Sequence, residues 1–209
     1  HAARAGLPGA CRGGVLSVLL SGFPPVARRD ARVLILGSMP SGASLAEGFY
    51  YAHPANAFWW LLAGALGRAV PEGVAARRRL LFEHHIALWD VVHRCRRRGS
   101  LDAAVERDSV EANDLCAFLQ DHPDITQVFF NGGAAEQLFR RHQRVAVQRC
   151  CPQLGFLRLP SSSPANASWS RARKLAAWGD ALGSALVGPA PVGPNLFGLE
   201  TPARRPSSG

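Results

Sequence analysis

Four short apolar runs, separated by segments of helical length, constrain this chain more than any other feature. They are Val33–Leu36, Ile86–Trp89, Ile125–Phe130 and Phe156–Leu159. A compact run of this kind, bounded by turn residues, predicts a strand buried on both faces. Helical patterns fill the intervals: Ala57–Leu66, Val74–His84, Val110–Leu119 with Ser109 or Asp108 as its cap, a helix opened by Gly132–Gly133 and running to His142, and Ser168–Leu186 capped by Ser168 or Ser170. Strands alternating with helices in this way predict an α/β fold, a three-layer α/β/α sandwich around a short four-stranded parallel sheet. Ligands of such sheets lie at the carboxyl ends of the strands. Three polar segments follow strands directly, Gly37–Asn56, Asn131–Gly133 and Pro160–Asn166. They are therefore expected on one rim of the sheet.

One folded domain is expected over residues 32–187, after a partly flexible leader (1–31) and before a Pro/Gly-rich tail (188–209) expected to be disordered. The chain has 24 Lys and Arg against 15 Asp and Glu, a net charge of +9, and Lys174 is its one lysine. Such an excess attracts polyanions. Arg94, Arg96, Arg97 and Arg98 fall in a basic loop on the predicted rim, whereas Arg77–Arg79, Arg140, Arg141 and Arg144 read as solvated helix faces. No apolar run reaches the roughly 18 to 20 residues of a membrane span. The five cysteines form no C-x-x-C pair. Their odd count argues against a disulfide framework and for a reducing, cytoplasmic location. No metal and no cofactor is expected: His84 and His85 are adjacent rather than a helical turn apart, and phosphate-loop, His-Glu-x-x-His and paired-carboxylate patterns are missing. Gly42–Ala46 approaches a nucleophile elbow but lacks its final Gly.

What remains is a rim of Asn, Ser, Tyr and Gly, and its order is distinctive. Gly37–Pro40 followed by Gly48–Trp59 resembles the first motif of the uracil-DNA glycosylase superfamily, and Leu159–Asn166 resembles the second. The set Tyr50–Asn56, Trp89–Asp90, Gly99–Asp102, Phe130–Gly132 and Pro160–Asn166 is most similar to the hypoxanthine-DNA (deoxyinosine) glycosylase branch. It spans roughly residues 33–186 with the motifs in register. Two positions depart from the mismatch-specific branch. Met39 stands where that branch carries a water-orienting Asn, and Ser41 replaces a Gly. A thioether cannot hold water in that way. In the hypoxanthine branch the catalytic amide is the Asn of the His-Pro-x-Asn motif, here Asn56.

The resemblance implies a monofunctional hydrolase that releases a deaminated base from DNA and leaves an abasic site. Such an enzyme must extrude the nucleotide into a pocket. Asn56 is the catalytic candidate, orienting water rather than taking a proton; its alternative role is a helix N-cap. Tyr51 is the stacking candidate with Tyr50 second, one of the pair being a core residue otherwise. Asn131, Met39 and Ser38 complete the expected base pocket, Asn131 through a carboxamide matched to an amide-like base edge; a turn role is its alternative. Ser161, Ser162 and Ser163 precede a helix and suit phosphate. Pro164, Ala165 and Asn166 could enter the gap left by the base, and His53 and Arg171 are further DNA contacts. The partner is DNA, double-stranded or single-stranded, bound by a monomer without a membrane. Lys174, well inside the last helix, is expected to be too far from the motifs for Schiff-base chemistry. Competing readings are a uracil- or mismatch-specific glycosylase, a non-catalytic nucleic-acid-binding domain, and an α/β hydrolase using Ser38 or Ser41, which lacks a His–Asp relay.

Overall fold

The computed structural model describes residues 18–97 and 105–187. The first part of the expected leader, Arg98, the Gly99–Asp102 motif and the 188–209 tail lie outside the described residues. The four apolar runs form the sheet: β2 (Val33–Gly37), β3 (Ile86–Asp90), β6 (Gln127–Asn131) and β7 (Gly155–Leu159), all parallel in the order β3-β2-β6-β7. Every residue of β2 and β3 is buried. Successive strand side chains point to opposite faces, so both faces of the sheet centre are covered. The covering helices are α2 (Phe58–Ala65) packed on α7 (Arg171–Val187), α3 (Gly73–Glu83) on β3, and α4 (Leu115–Asp121) and α5 (Gly133–His142) on α6 (Arg144–Cys150). The register sets Gly37 beside Asp90 and Asn131 beside Leu159, so the polar strand ends share one rim.

A second, antiparallel sheet was not foreseen: β1 (Val18–Ser21), β4 (Val92–Arg97) and β5 (Glu111–Ala112) in the order β1-β4-β5. The expected basic loop from Arg94 is therefore largely strand. Burial alternates over Cys95–Arg97, where Arg97 is an inward residue, 1% exposed, with its guanidinium donating to the Pro40 carbonyl at 2.7 Å. Arg97 is thus a structural cation. Arg94 pairs with Glu111 at 3.6 Å, and Arg96 stays exposed. Residues 18–31, read as the end of a leader, are folded too: Val26 is buried and bridges to Leu88.

One helix starts later than expected, one short helix is additional, and one of the two expected caps of the last helix is selected. The predicted Val110–Leu119 helix begins at Leu115, because Asp114 rather than Ser109 or Asp108 caps it and accepts from Ala117 N–H at 3.0 Å. Ser109 Oγ is instead engaged by Arg96 N–H and the Glu106 carbonyl, each at 2.7 Å. Within the long Gly37–Asn56 connection a short helix, α1 (Gly42–Glu47), is capped by Ser41 and ends at Gly48 in the left-handed conformation. Ser170 caps α7, accepting from Arg173 N–H at 3.2 Å. The cysteines depart further, since Cys116 and Cys150 are bridged across 34 residues, joining α4 to α6. The pairing depends on helix packing and has no local spacing signal. No helix among the described residues is long and apolar enough to cross a membrane.

The cap of α4 is testable. Asp114→Ala should lower stability by about 1 kcal/mol in urea unfolding, while Asp108→Ala should stay within roughly 0.5 kcal/mol of the parent.

Candidate functional site

The rim residues close around a cavity of about 100 Å³ lined by Gly37, Ser38, Met39, Tyr51, Asn56, Asp90, Asn131 and the three serines 161–163, among others. Drug-sized sites run to roughly 300–1,000 Å³, so this slot suits a single planar ring system. A larger cavity of about 650 Å³ between β7 and α7 is mostly apolar and holds none of these amides or hydroxyls. Converging polar groups, not volume, mark the slot as the candidate site.

Asn131 ends β6 and fixes one wall. Its Oδ1 accepts from Ser162 N–H at 2.9 Å and its Nδ2 donates to Ser162 Oγ at 2.8 Å. This paired contact occupies the amide edge expected to read a base. One further N–H and one lone pair remain by the carboxamide's inventory. Ser162 is 1% exposed, so it holds the loop and is not placed to meet a phosphate. Its carbonyl also accepts from Ala57 N–H at 3.0 Å, tying the serine loop to the start of α2. Gly132, at φ 94°, makes the joint possible: a Cβ there would stand 2.6 Å from Ser161 Cβ.

The same loop is anchored from behind. Trp178 donates to the Pro160 carbonyl at 3.0 Å, Asn166 Nδ2 to the Ser161 carbonyl at 3.4 Å, and Lys174 Nζ to the Asn166 carbonyl at 2.8 Å. Lys174 therefore lies against a motif loop, contrary to the expectation that it is remote. It is buried, engaged and not part of the slot lining. Burial, with Arg171 adding repulsion, depresses its pKa. Pro164 and Ala165 form the exposed tip.

The opposite wall comes from the connection after β2. Tyr51 adopts φ 53°, a left-handed conformation unusual for a tyrosine, and lines the slot with its ring stacked on Phe58 at 3.8 Å and 9°. Strain of this kind gathers at functional sites. Tyr50 touches the slot boundary but is a core residue, 2% exposed, its hydroxyl donating to the Pro24 carbonyl at 3.1 Å. Burial first, then the Asp90 charge, hold its phenol well above the ordinary pKa. Asn56 Oδ1 accepts from Phe58 N–H, the first of α2, at 3.0 Å, although the N-cap position itself is Ala57, and the Asn56 side chain lines the slot as well. Met39 borders the slot and packs with Val92 and Cys95; Ser38 lies beside it. His53 is exposed outside the slot, its Nδ1 accepting from Ala55 N–H at 3.1 Å. Arg171 is exposed over the Trp60 ring at 5.5 Å.

Asp90, which the sequence placed in the Trp89–Asp90 motif without a role, also lines the slot. It ends β3, is 3% exposed and sits beside Gly37. A Cβ on Gly37 would clash with Asp90 Oδ1 and lie 2.7 Å from the Tyr51 hydroxyl. A polar residue closing an apolar run is the signal that singled out Asn131, and it applies equally to Leu88-Trp89-Asp90.

Comparison with known proteins assigns the chain to a family. Residues 24–182 match the Uracil DNA glycosylase superfamily. A hypoxanthine DNA glycosylase of Methanosarcina acetivorans is 33% identical over 159 residues, covering 73% of this chain and 92% of the relative. A protein of the same description from Methanosarcina barkeri is 35% identical over 113 residues, covering 53% and 70%. A solution NMR structure from M. acetivorans, described as a candidate uracil DNA glycosylase, superposes with a TM-score of 0.63 at 30% identity over 79% of this chain and 97% of that one.

The Gly132 joint yields a prediction. Gly132→Ala should cost about 1–3 kcal/mol in chemical denaturation, since the left-handed backbone and the Ser161 contact are both violated.

Proposed function

Because the chain belongs to the uracil DNA glycosylase superfamily, we propose that it is a monofunctional DNA glycosylase that hydrolyses the N-glycosidic bond of a deaminated base, hypoxanthine by preference, and leaves an abasic site. The observation that carries this reading is the convergence of Asn56, Asn131, Tyr51 and the serine loop on one small slot at the carboxyl ends of the strands. A base reaches such a slot only after leaving the duplex, at a cost of a few kcal/mol. Tyr51, backed by Phe58, offers its other face to the base, and stacking of this kind contributes roughly 1–3 kcal/mol. Asn56 keeps a second lone pair and its amide hydrogens beyond the Phe58 contact. It orients water toward the sugar carbon as the glycosidic bond breaks, a task of positioning and electrostatics. Asn131 contributes its remaining N–H or lone pair, and Ser38 and Met39 bound the ring.

Ser161 and Ser163 line both the slot and an adjoining groove of about 540 Å³ that also includes Arg158 and Trp169. That groove suits the strand flanking the flipped nucleotide. Arg171 and His53 are the nearby candidates for phosphate contact, and Pro164 and Ala165, exposed at the tip, are the candidates for the vacated space. Lys174 is buried against Asn166, which supports hydrolysis by water rather than a covalent lysine adduct. A borohydride-trapped adduct would overturn that part.

The test uses duplexes carrying a single hypoxanthine or uracil, scored for strand breaks with and without alkali. Hypoxanthine release with breaks appearing only after alkali is expected. Uracil release with hypoxanthine untouched would favour the uracil-specific reading, and salt-sensitive binding without excision would favour a non-catalytic binding domain. Asn56→Ala should lower excision at least roughly 100-fold with duplex affinity retained. Arg171→Ala should weaken binding uniformly and reduce the slope of log K against log salt by about 1.

A further inference from the structure

We propose that Asp90 is the specificity-determining residue of this slot, an acceptor that senses the proton a base gains at its ring nitrogen on deamination. The inference rests on the glycosylase reading above. Among the residues the slot argument uses, Asn56, Asn131, Ser38 and Tyr51 can each donate or accept a hydrogen bond by rotation or by choice of atom, and so read no single pattern. Asp90 differs. When ionised, its carboxylate only accepts, and it lines the slot from the end of β3 at 3% exposure, in the corner it shares with the Tyr51 hydroxyl across Gly37.

Deamination replaces the exocyclic amine by a carbonyl and places a hydrogen on the neighbouring ring nitrogen, and the second change is the one an acceptor senses. Adenine N1 is a lone pair and hypoxanthine N1 carries a hydrogen; cytosine N3 and uracil N3 differ in the same way. A desolvated carboxylate facing that nitrogen gains a charge-assisted hydrogen bond from the deaminated base and meets lone-pair repulsion from the parent base. The recognised class is therefore a ring imide or lactam N–H. Guanine and thymine carry the same N–H, so their rejection belongs to other walls of the slot. Gly37 is part of the device, because any side chain there would fill the corner where Asp90 and Tyr51 meet.

The experiment compares wild type with Asp90→Asn, whose amide can turn a donor toward a lone pair. Affinity is measured for duplexes containing 2′-fluoro-2′-deoxyinosine or 2′-fluoro-2′-deoxyadenosine, which resist hydrolysis, and excision is measured on the natural nucleotides. In the variant the preference for inosine over adenosine should fall by roughly 10- to 100-fold in affinity, with the same direction in excision. Asp90→Ser, smaller and uncharged, should lose the preference likewise and serves if the amide variant does not fold by circular dichroism. An unchanged preference overturns the proposal even if excision slows, since that result would make Asp90 a structural or rate-affecting residue only. A wild type that binds inosine and adenosine duplexes equally overturns it as well. If wild type excises no base yet prefers inosine, and Asp90→Asn removes that preference, the proposal stands while the catalytic reading fails.

Discussion

The paired hydrogen bonds between the Asn131 carboxamide and Ser162 are the joint on which the site depends. They connect the end of β6 to the loop after β7, and the Ser162 carbonyl extends the connection to Ala57 at the head of α2. Three segments distant in sequence are thereby held within one slot. Ser162 is buried and Asn131 half-buried, so breaking the pair would strand the polar groups on the Ser162 side without compensation, a larger loss than the net worth of the bonds. The serine loop has no regular structure of its own. Its shape comes from this joint together with Trp178, Asn166 and Lys174 behind it.

The slot combines neutral amides and hydroxyls with one buried acid, and its geometry relies on what is missing at Gly37. The lack of a side chain there lets Asp90 and Tyr51 approach from neighbouring elements. Tyr51 is held in a left-handed backbone conformation while its ring lies flat on Phe58, so the aromatic wall is rigid before any ligand arrives. Pre-set walls reduce the ordering cost of binding. The cations are divided between two tasks. Arg97 and Lys174 are interior and hold backbone carbonyls at the edge of the site, whereas Arg171 and Arg173 stay on the surface over Trp60 and Trp169.

The parallel sheet was legible because each strand is an apolar run that needs cover on both faces, a local pattern with a direct structural meaning. The second sheet was not, because an arginine-rich stretch reads as solvated until Arg97 is known to be buried against Pro40. The start of α4 was misread because Asp108, Ser109 and Asp114 are all good caps, and the choice among them follows from the contacts Ser109 makes with β4. The Cys116–Cys150 bridge had no local signature, since it depends on how α4 meets α6. Tyr50 and Tyr51 are adjacent residues of the same type. Only the packing of Phe23–Pro24 over one and Phe58 beneath the other separates core from site.

By itself the sequence determined the strand order of events along the chain, the rim on which the polar segments gather and, through motifs in register, the superfamily. These are properties of residue type and spacing, which local sterics and burial translate directly into structure. Tertiary structure decided the rest. It turned Asn131 and Ser162 toward each other rather than toward a ligand, drew Lys174 beneath the loop and set Asp90 into the slot. Those outcomes depend on which groups satisfy one another across distant segments, and a one-dimensional pattern does not carry that information.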